Sequence, residues 1–96
     1  PIAQEAGVPV LGISNTAAGI TDIGDYVFRN SLTEQAVIPQ TIATATEEFG
    51  LQDVVVMYSN DDAFTESGYE AFTAALEEEG VTVSETITFS KADTDF

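Results

Sequence analysis

Residues 53–89 constrain the fold more than any other stretch. DVVVMY, residues 53–58, is a nearly all-apolar run of strand length. Asn60, Asp61 and Asp62 follow as turn residues and a helix N-cap. Residues 63–79 then carry Phe64, Gly68, Ala71, Phe72 and Ala75 at helical spacing, a stripe expected to be buried. Gly80 supplies a C-cap, and residues 81–89 alternate as a strand nearer a sheet edge, with Val81, Val83, Ile87 and Phe89 in phase. Strand, helix and strand at these lengths make a βαβ unit with parallel strands and a right-handed crossover. A parallel sheet needs helices on its faces, so the fold class is α/β.

Upstream the same grammar repeats. Residues 33–49 place Ile38, Ile42, Ala45 and Phe49 at i, i+4, i+7 and i+11. Pro39 either starts the regular part of that helix or kinks it, and Gly50 ends it. Residues 8–13 are almost all apolar, which predicts a strand covered on both faces. The same holds for residues 53–58. Residues 26–30 form another short strand, Gly24-Asp25 a turn, and residues 1–7 the end of a helix with Gly7 as its C-cap. The whole reads as a Rossmann-like parallel sheet with flanking helices.

Between the first two strands lies Ser14-Asn15-Thr16-Ala17-Ala18-Gly19, small residues rich in hydroxyl and amide groups. In open α/β sheets, ligands sit outside the carboxyl ends of the strands. Small side chains there let a ligand reach the backbone, and hydroxyls bond a carboxylate or an ammonium. The loop is an address for a small polar molecule; the competing reading is a turn that caps its own backbone.

Composition removes several functions. Net charge is −15, with 17 acidic residues against one arginine, Arg29, and one lysine, Lys91. Nothing is available to neutralise phosphates, so nucleic acid is excluded as a partner, and anionic membrane surfaces are repelled. An acidic secreted domain and a protein adapted to high salt both fit this charge. There is no cysteine and no histidine, which removes disulfides, thiolate metal sites and the commonest general base. No nucleophile–base pair, GxGxxG or phosphate-binding loop is present, so no catalytic residue and no cofactor are expected. Asp61-Asp62 and Asp93-Thr94-Asp95 invite a calcium reading. They lack the twelve-residue spacing with central glycine and terminal glutamate, so they read as N-caps and no metal site is expected. Asp95 with Phe96 looks like the start of a further helix. Glu77, Glu78 and Glu79 form a solvated face, and Arg29 is expected to pair with a nearby carboxylate or with that of a ligand. No signal peptide and no run of about 18 apolar residues occurs. The chain reads as a piece of a longer protein whose targeting segment lies outside it.

The order and spacing of residues 1–10, 14–21, 26–29 and 53–57, of Ala63-Phe64 with Gly68, and of residues 93–96 resemble one family. It is the type I periplasmic substrate-binding proteins of ABC importers, of the leucine/isoleucine/valine-binding kind. The resemblance implies two α/β lobes joined by a hinge, with the ligand held between them. It places residues 1–32 at the end of the first lobe and the hinge crossing near Ser31-Leu32, and residues 33–96 at the start of the second lobe. It implies that Ser14, Thr16, Ala17 and Ala18 contact the ligand from one wall and Phe64 from the other. Where the family often has a hydroxyl, Ala18 has none, which shifts hydrogen bonding to Thr16 or to backbone amides. Phe64 stands where a tyrosine is common and offers apolar contact only. The implied ligand is amino-acid-like, a branched-chain amino acid being the example, and the implied partner is the membrane permease. The implied location is periplasmic or extracellular, with a possible lipid anchor. A ligand-sensing extracellular receptor domain of the same fold is the alternative, and a halophilic α/β enzyme the weaker third. Incomplete sheets on both sides of the hinge also predict that the 96-residue chain self-associates as a homodimer.

Overall fold

A computed structural model describes residues 1–94. The chain runs α1 (Ile2–Glu5), β1 (Val10–Gly12), a 3-10 turn (Thr21–Ile23), β2 (Val27–Arg29), α2 (Glu34–Phe49), β3 (Asp53–Ser59), α3 (Ala63–Glu78) and β4 (Thr82–Phe89). The strands form two separate parallel pairs, β1 with β2 and β3 with β4. The radius of gyration is 16.2 Å, against about 12–13 Å for a compact domain of this length. The mass is therefore spread over two bodies, linked through residues 30–33.

Local chemistry sets the helix ends. Thr33 is extended and its Oγ1 accepts from the Ala36 N–H at 3.1 Å, which starts α2. Gly50 stops α2 at φ 63°, a left-handed conformation that suits glycine, and its N–H bonds the Thr46 carbonyl. Pro39 lies inside α2 rather than at its start. Asp62 caps α3 by accepting from the N–H groups of Phe64 (2.8 Å) and Thr65 (3.0 Å).

The core sits entirely in the second body. Ile38 and Ile42 of α2 pack on Ala71, Ala75 and Leu76 of α3 and on Val81, with Leu51, Val54, Val56 and Val83 beneath. In the β3–β4 ladder the register shifts between Val54 and Val55, which leaves Ser84 as the extra residue of a bulge. Ser84 Oγ donates to the Val54 carbonyl at 3.1 Å.

Several expected burials do not hold. The strand at 8–13 shortens to β1, with Leu11 60% exposed and Val10 and Ile13 also exposed. Its one hydrogen-bonded neighbour is β2, and a parallel strand is covered on both faces only where helices lie on both. On β3, Val54 and Val56 turn toward the helices while Val55 and Met57 stay exposed, so burial alternates. On α3 the buried stripe is Gly68, Ala71, Ala75 and Leu76. Phe64 and Phe72, expected on that stripe, are 56% and 37% exposed because α2 approaches the small residues of the helix. Phe49, at the last turn of α2, is exposed as well. Asp95 and Phe96, read as a helix start, lie outside the described residues.

Candidate functional site: a cleft between the two bodies

The loop after β1 is held by groups that sequence reasoning assigned elsewhere. Arg29, at the end of β2, donates from Nη1 to the carbonyls of Ala17 (2.6 Å) and Asn15 (3.4 Å). Ser31 Oγ donates to the same Asn15 carbonyl at 3.2 Å. Arg29 thus braces carbonyls of the loop, where the sequence suggested a carboxylate partner. Two bonds then join this loop to the second body. The Glu34 N–H, at the start of α2, donates to the Thr16 carbonyl at 3.2 Å. The Ala18 N–H donates to Ser67 Oγ of α3 at 3.2 Å.

The start of α3 is fixed just as firmly. Lys91, after β4, forms an ion pair with Asp62, the α3 cap. Asp61 accepts from Ser59 Oγ, from Ser90 Oγ (3.1 Å) and from the Lys91 N–H (2.9 Å). Thr65 Oγ1 donates to the Ser59 carbonyl. These bonds tie the ends of β3 and β4 to the first turn of α3. Hydrogen bonding from Lys91, then from the Thr65 amide, draws the Asp62 carboxyl down to about 2. The Ser59 hydroxyl lowers Asp61, and Asp62 raises Lys91. Of the aspartates that invited a calcium reading, Asp61 and Asp62 are engaged in strand ties and capping, and Asp93 accepts from the Ser90 N–H at 2.8 Å; Asp95 lies outside the described residues. Among the described residues no acidic or histidine cluster is arranged to hold a metal.

Between the braced loop and the fixed helix start lies a cleft of 230 Å³, lined by Ser14, Asn15, Thr16, Ala17, Ile20, Ala63 and Phe64. Ser14, Thr16, Ala17 and Phe64, singled out from sequence, meet here; Ala18 does not line the cleft and instead spends its N–H on Ser67. Thr16 Oγ1 is buried and has no hydrogen-bond partner, a condition that a bound polar group relieves. No acidic side chain lines the cleft although the chain carries 17. Ala63 and Phe64 open α3, so the positive end of a 16-residue helix lies at its wall. The cleft offers hydroxyl groups, a helix N-terminus and one phenyl ring, and no charged group that acts on a substrate. Asn15, Ile20, Ser67 and the brace by Arg29 were missed; their roles depend on contacts made only after folding.

Two pairs of parallel strands with their helices thus meet at a polar cleft. The receptor family ligand binding region matches residues 1–96, and the chain belongs to that family. The resemblance to type I periplasmic binding proteins holds for both family and fold. A solute binding protein of an ABC transporter from R. palustris, solved with 4-hydroxybenzoate, is 28% identical at a TM-score of 0.83 over 100% of this chain. A second R. palustris protein, solved with benzoate, is 26% identical at a TM-score of 0.81 over 99% of it. An ABC transporter substrate-binding protein from Desulfitobacterium hafniense, solved with Leu, is 27% identical at a TM-score of 0.74 over 92% of it. The chain spans 26% of the length of each of these proteins. No curated protein matches it in sequence. Family and neighbours are solute-binding and receptor proteins, not enzymes. Among the described residues no helix is long and apolar enough to cross a membrane.

Proposed function

We propose that this chain serves in a two-lobed solute-binding protein of an ABC importer and helps hold a small carboxylate-bearing solute in the cleft between residues 14–17 and Phe64. In this reading residues 1–32 belong to the first lobe and residues 33–96 to the second, and the protein works outside the cytoplasmic membrane with a permease partner. The observation that carries it is a cleft lined by no acidic side chain, beside the start of α3, whose wall includes Thr16 with a buried, unpartnered Oγ1. Asp62 already accepts from the Phe64 and Thr65 N–H groups, so hydroxyl donors of Ser14 and Thr16 carry the bonding to a carboxylate and the α3 dipole only adds to it. Phe64 gives an apolar body something to pack on. The solutes named for the neighbours, benzoates and leucine, share a carboxylate on an apolar body. A branched-chain amino acid and an aromatic acid both satisfy this wall. The family description also favours a sensing receptor that uses the same cleft but couples to a signalling element instead of a permease.

Calorimetry on a two-lobed protein containing this chain tests the reading. Leucine, benzoate and 4-hydroxybenzoate are titrated beside neutral benzamide. At least one carboxylate is expected to bind, with benzamide weaker than benzoate. Thr16→Ala is expected to weaken the bound carboxylate by about 0.5–1.5 kcal/mol. Equal affinity for benzoate and benzamide, or binding of none of the acids, overturns it.

A further inference from the structure

Three buried side-chain polar atoms among the described residues lack a hydrogen-bond partner: Thr16 Oγ1, Glu34 Oε2 and Thr46 Oγ1. Two of them belong to residues joined through the backbone, the Glu34 N–H donating to the Thr16 carbonyl at 3.2 Å. Thr16 belongs to the cleft described above. Glu34 lines a neighbouring cavity of 210 Å³ with Tyr58, Phe64, Tyr69 and Phe72 around it and Gly68 at its wall. Phe64 is common to both spaces.

The Glu34 carboxylate lies against the glycine of α3, with its Oε2 buried and unpartnered. A Cβ at Gly68 would lie 2.9 Å from Glu34 Oε1, so a larger residue at this point of α3 would make the carboxylate shift. Tyr58 and Tyr69 are stacked with ring centroids 4.3 Å apart, which fixes the aromatic wall. A carboxylate is an acceptor only and needs a donor. Aromatic faces attract cations, and do so most strongly out of water. Neither cationic side chain of the chain serves here: Arg29 bonds the carbonyls of Asn15 and Ala17, and Lys91 pairs with Asp62.

We propose that Glu34, with Tyr58, Phe64, Tyr69 and Phe72 lining the same pocket, is a binding site for an organic ammonium group. The group belongs either to the solute in the adjoining cleft, which makes that solute a zwitterion, or to a separate organic cation. Only the first source rests on the solute-binding reading above.

The test uses methylammonium chloride as probe, titrated into the full 96-residue chain at constant ionic strength with sodium chloride as control, and followed by amide chemical shifts. Saturable shifts are expected at Glu34, Gly68 and Tyr69 with methylammonium and not with sodium. Glu34→Gln is expected to weaken the probe about tenfold. Gly68→Ala, which keeps the carboxylate but displaces it, is expected to weaken it too, and serves if Glu34→Gln fails to fold. Shifts absent from this region, or unaltered in both variants, overturn the site. In a two-lobed protein containing the chain, leucine is compared with 4-methylpentanoate, its analogue without the amine. Selective loss of leucine affinity in Glu34→Gln identifies the solute as the source, and equal retention of both, with methylammonium bound by the native chain and weakened in the variant, identifies a separate cation. Failure of every carboxylate to bind would instead strike the solute-binding reading and leave the methylammonium result standing.

Discussion

Replacing Arg29 by glutamine should weaken ligand binding without any contact between Arg29 and ligand. The guanidinium donates to the Ala17 carbonyl at 2.6 Å and reaches the Asn15 carbonyl at 3.4 Å, so it holds the backbone of the loop that lines the cleft. A hydrogen bond from a charged donor contributes about 1.5–3 kcal/mol. Arg29 is half-buried, and solvent screening reduces this to about 1–2 kcal/mol. The longer contact adds little, because Ser31 Oγ also bonds the Asn15 carbonyl. The expected loss of affinity is about 5- to 30-fold, read by calorimetry on a two-lobed protein containing this chain. Arg29→Lys separates geometry from charge. Lysine keeps the charge but carries no planar fork of donors, so a loss close to that of Arg29→Gln is expected. Full affinity in Arg29→Lys with a loss in Arg29→Gln would show that only long-range charge matters. Unchanged affinity in both would refute the brace.

Melting temperature should rise across a KCl series, since a net charge of −15 repels itself and added salt screens it over about 8–10 Å; a flat or falling curve counts against this. The Asp62–Lys91 tie should fail in acid. The Asp62 carboxyl is lowered from 3.8 to about 2, so its contribution is complete above pH 3.8 and fades as pH falls toward 2. The stability gap between the native chain and Asp62→Asn should therefore narrow over that window, and a gap constant from pH 6 to pH 2 would contradict it. The 96-residue chain should form a homodimer by light scattering at moderate salt, because Val10, Leu11, Val55 and Met57 leave apolar strand faces exposed. A monomer at every concentration would reject that.

What was legible in the sequence was local. Gly50 and Asp62, read as caps, act within a few residues of themselves, and Thr33, read as the first helical residue, is the N-cap of α2, so the bounds of α2 and α3 could be read within one residue. Periodicity marked Gly68, Ala71 and Ala75 as one face, but it could not say where α2 would cross α3, so Phe64 and Phe72 were placed on the buried side. Apolar runs gave the strands but not their cover: residues 8–13 read as buried, yet Leu11 is exposed. The loop of small hydroxyl residues was visible at the end of β1. Its brace was not, because Arg29 meets the loop through backbone carbonyls that carry no residue signature. Ser67 and Glu34 were invisible for a related reason: each meets a loop segment distant in sequence.

The most direct test of the account is a crystal structure of a two-lobed protein containing this chain, grown with whichever of leucine and 4-hydroxybenzoate it binds. The account predicts the ligand carboxylate between residues 14–17 and the first turn of α3. Thr16 Oγ1 should lie within about 2.5–3.0 Å of a carboxylate oxygen, and the Phe64 ring should lie against the ligand body. A ligand seated elsewhere, with Thr16 Oγ1 unpartnered and Phe64 free of contact, would contradict it.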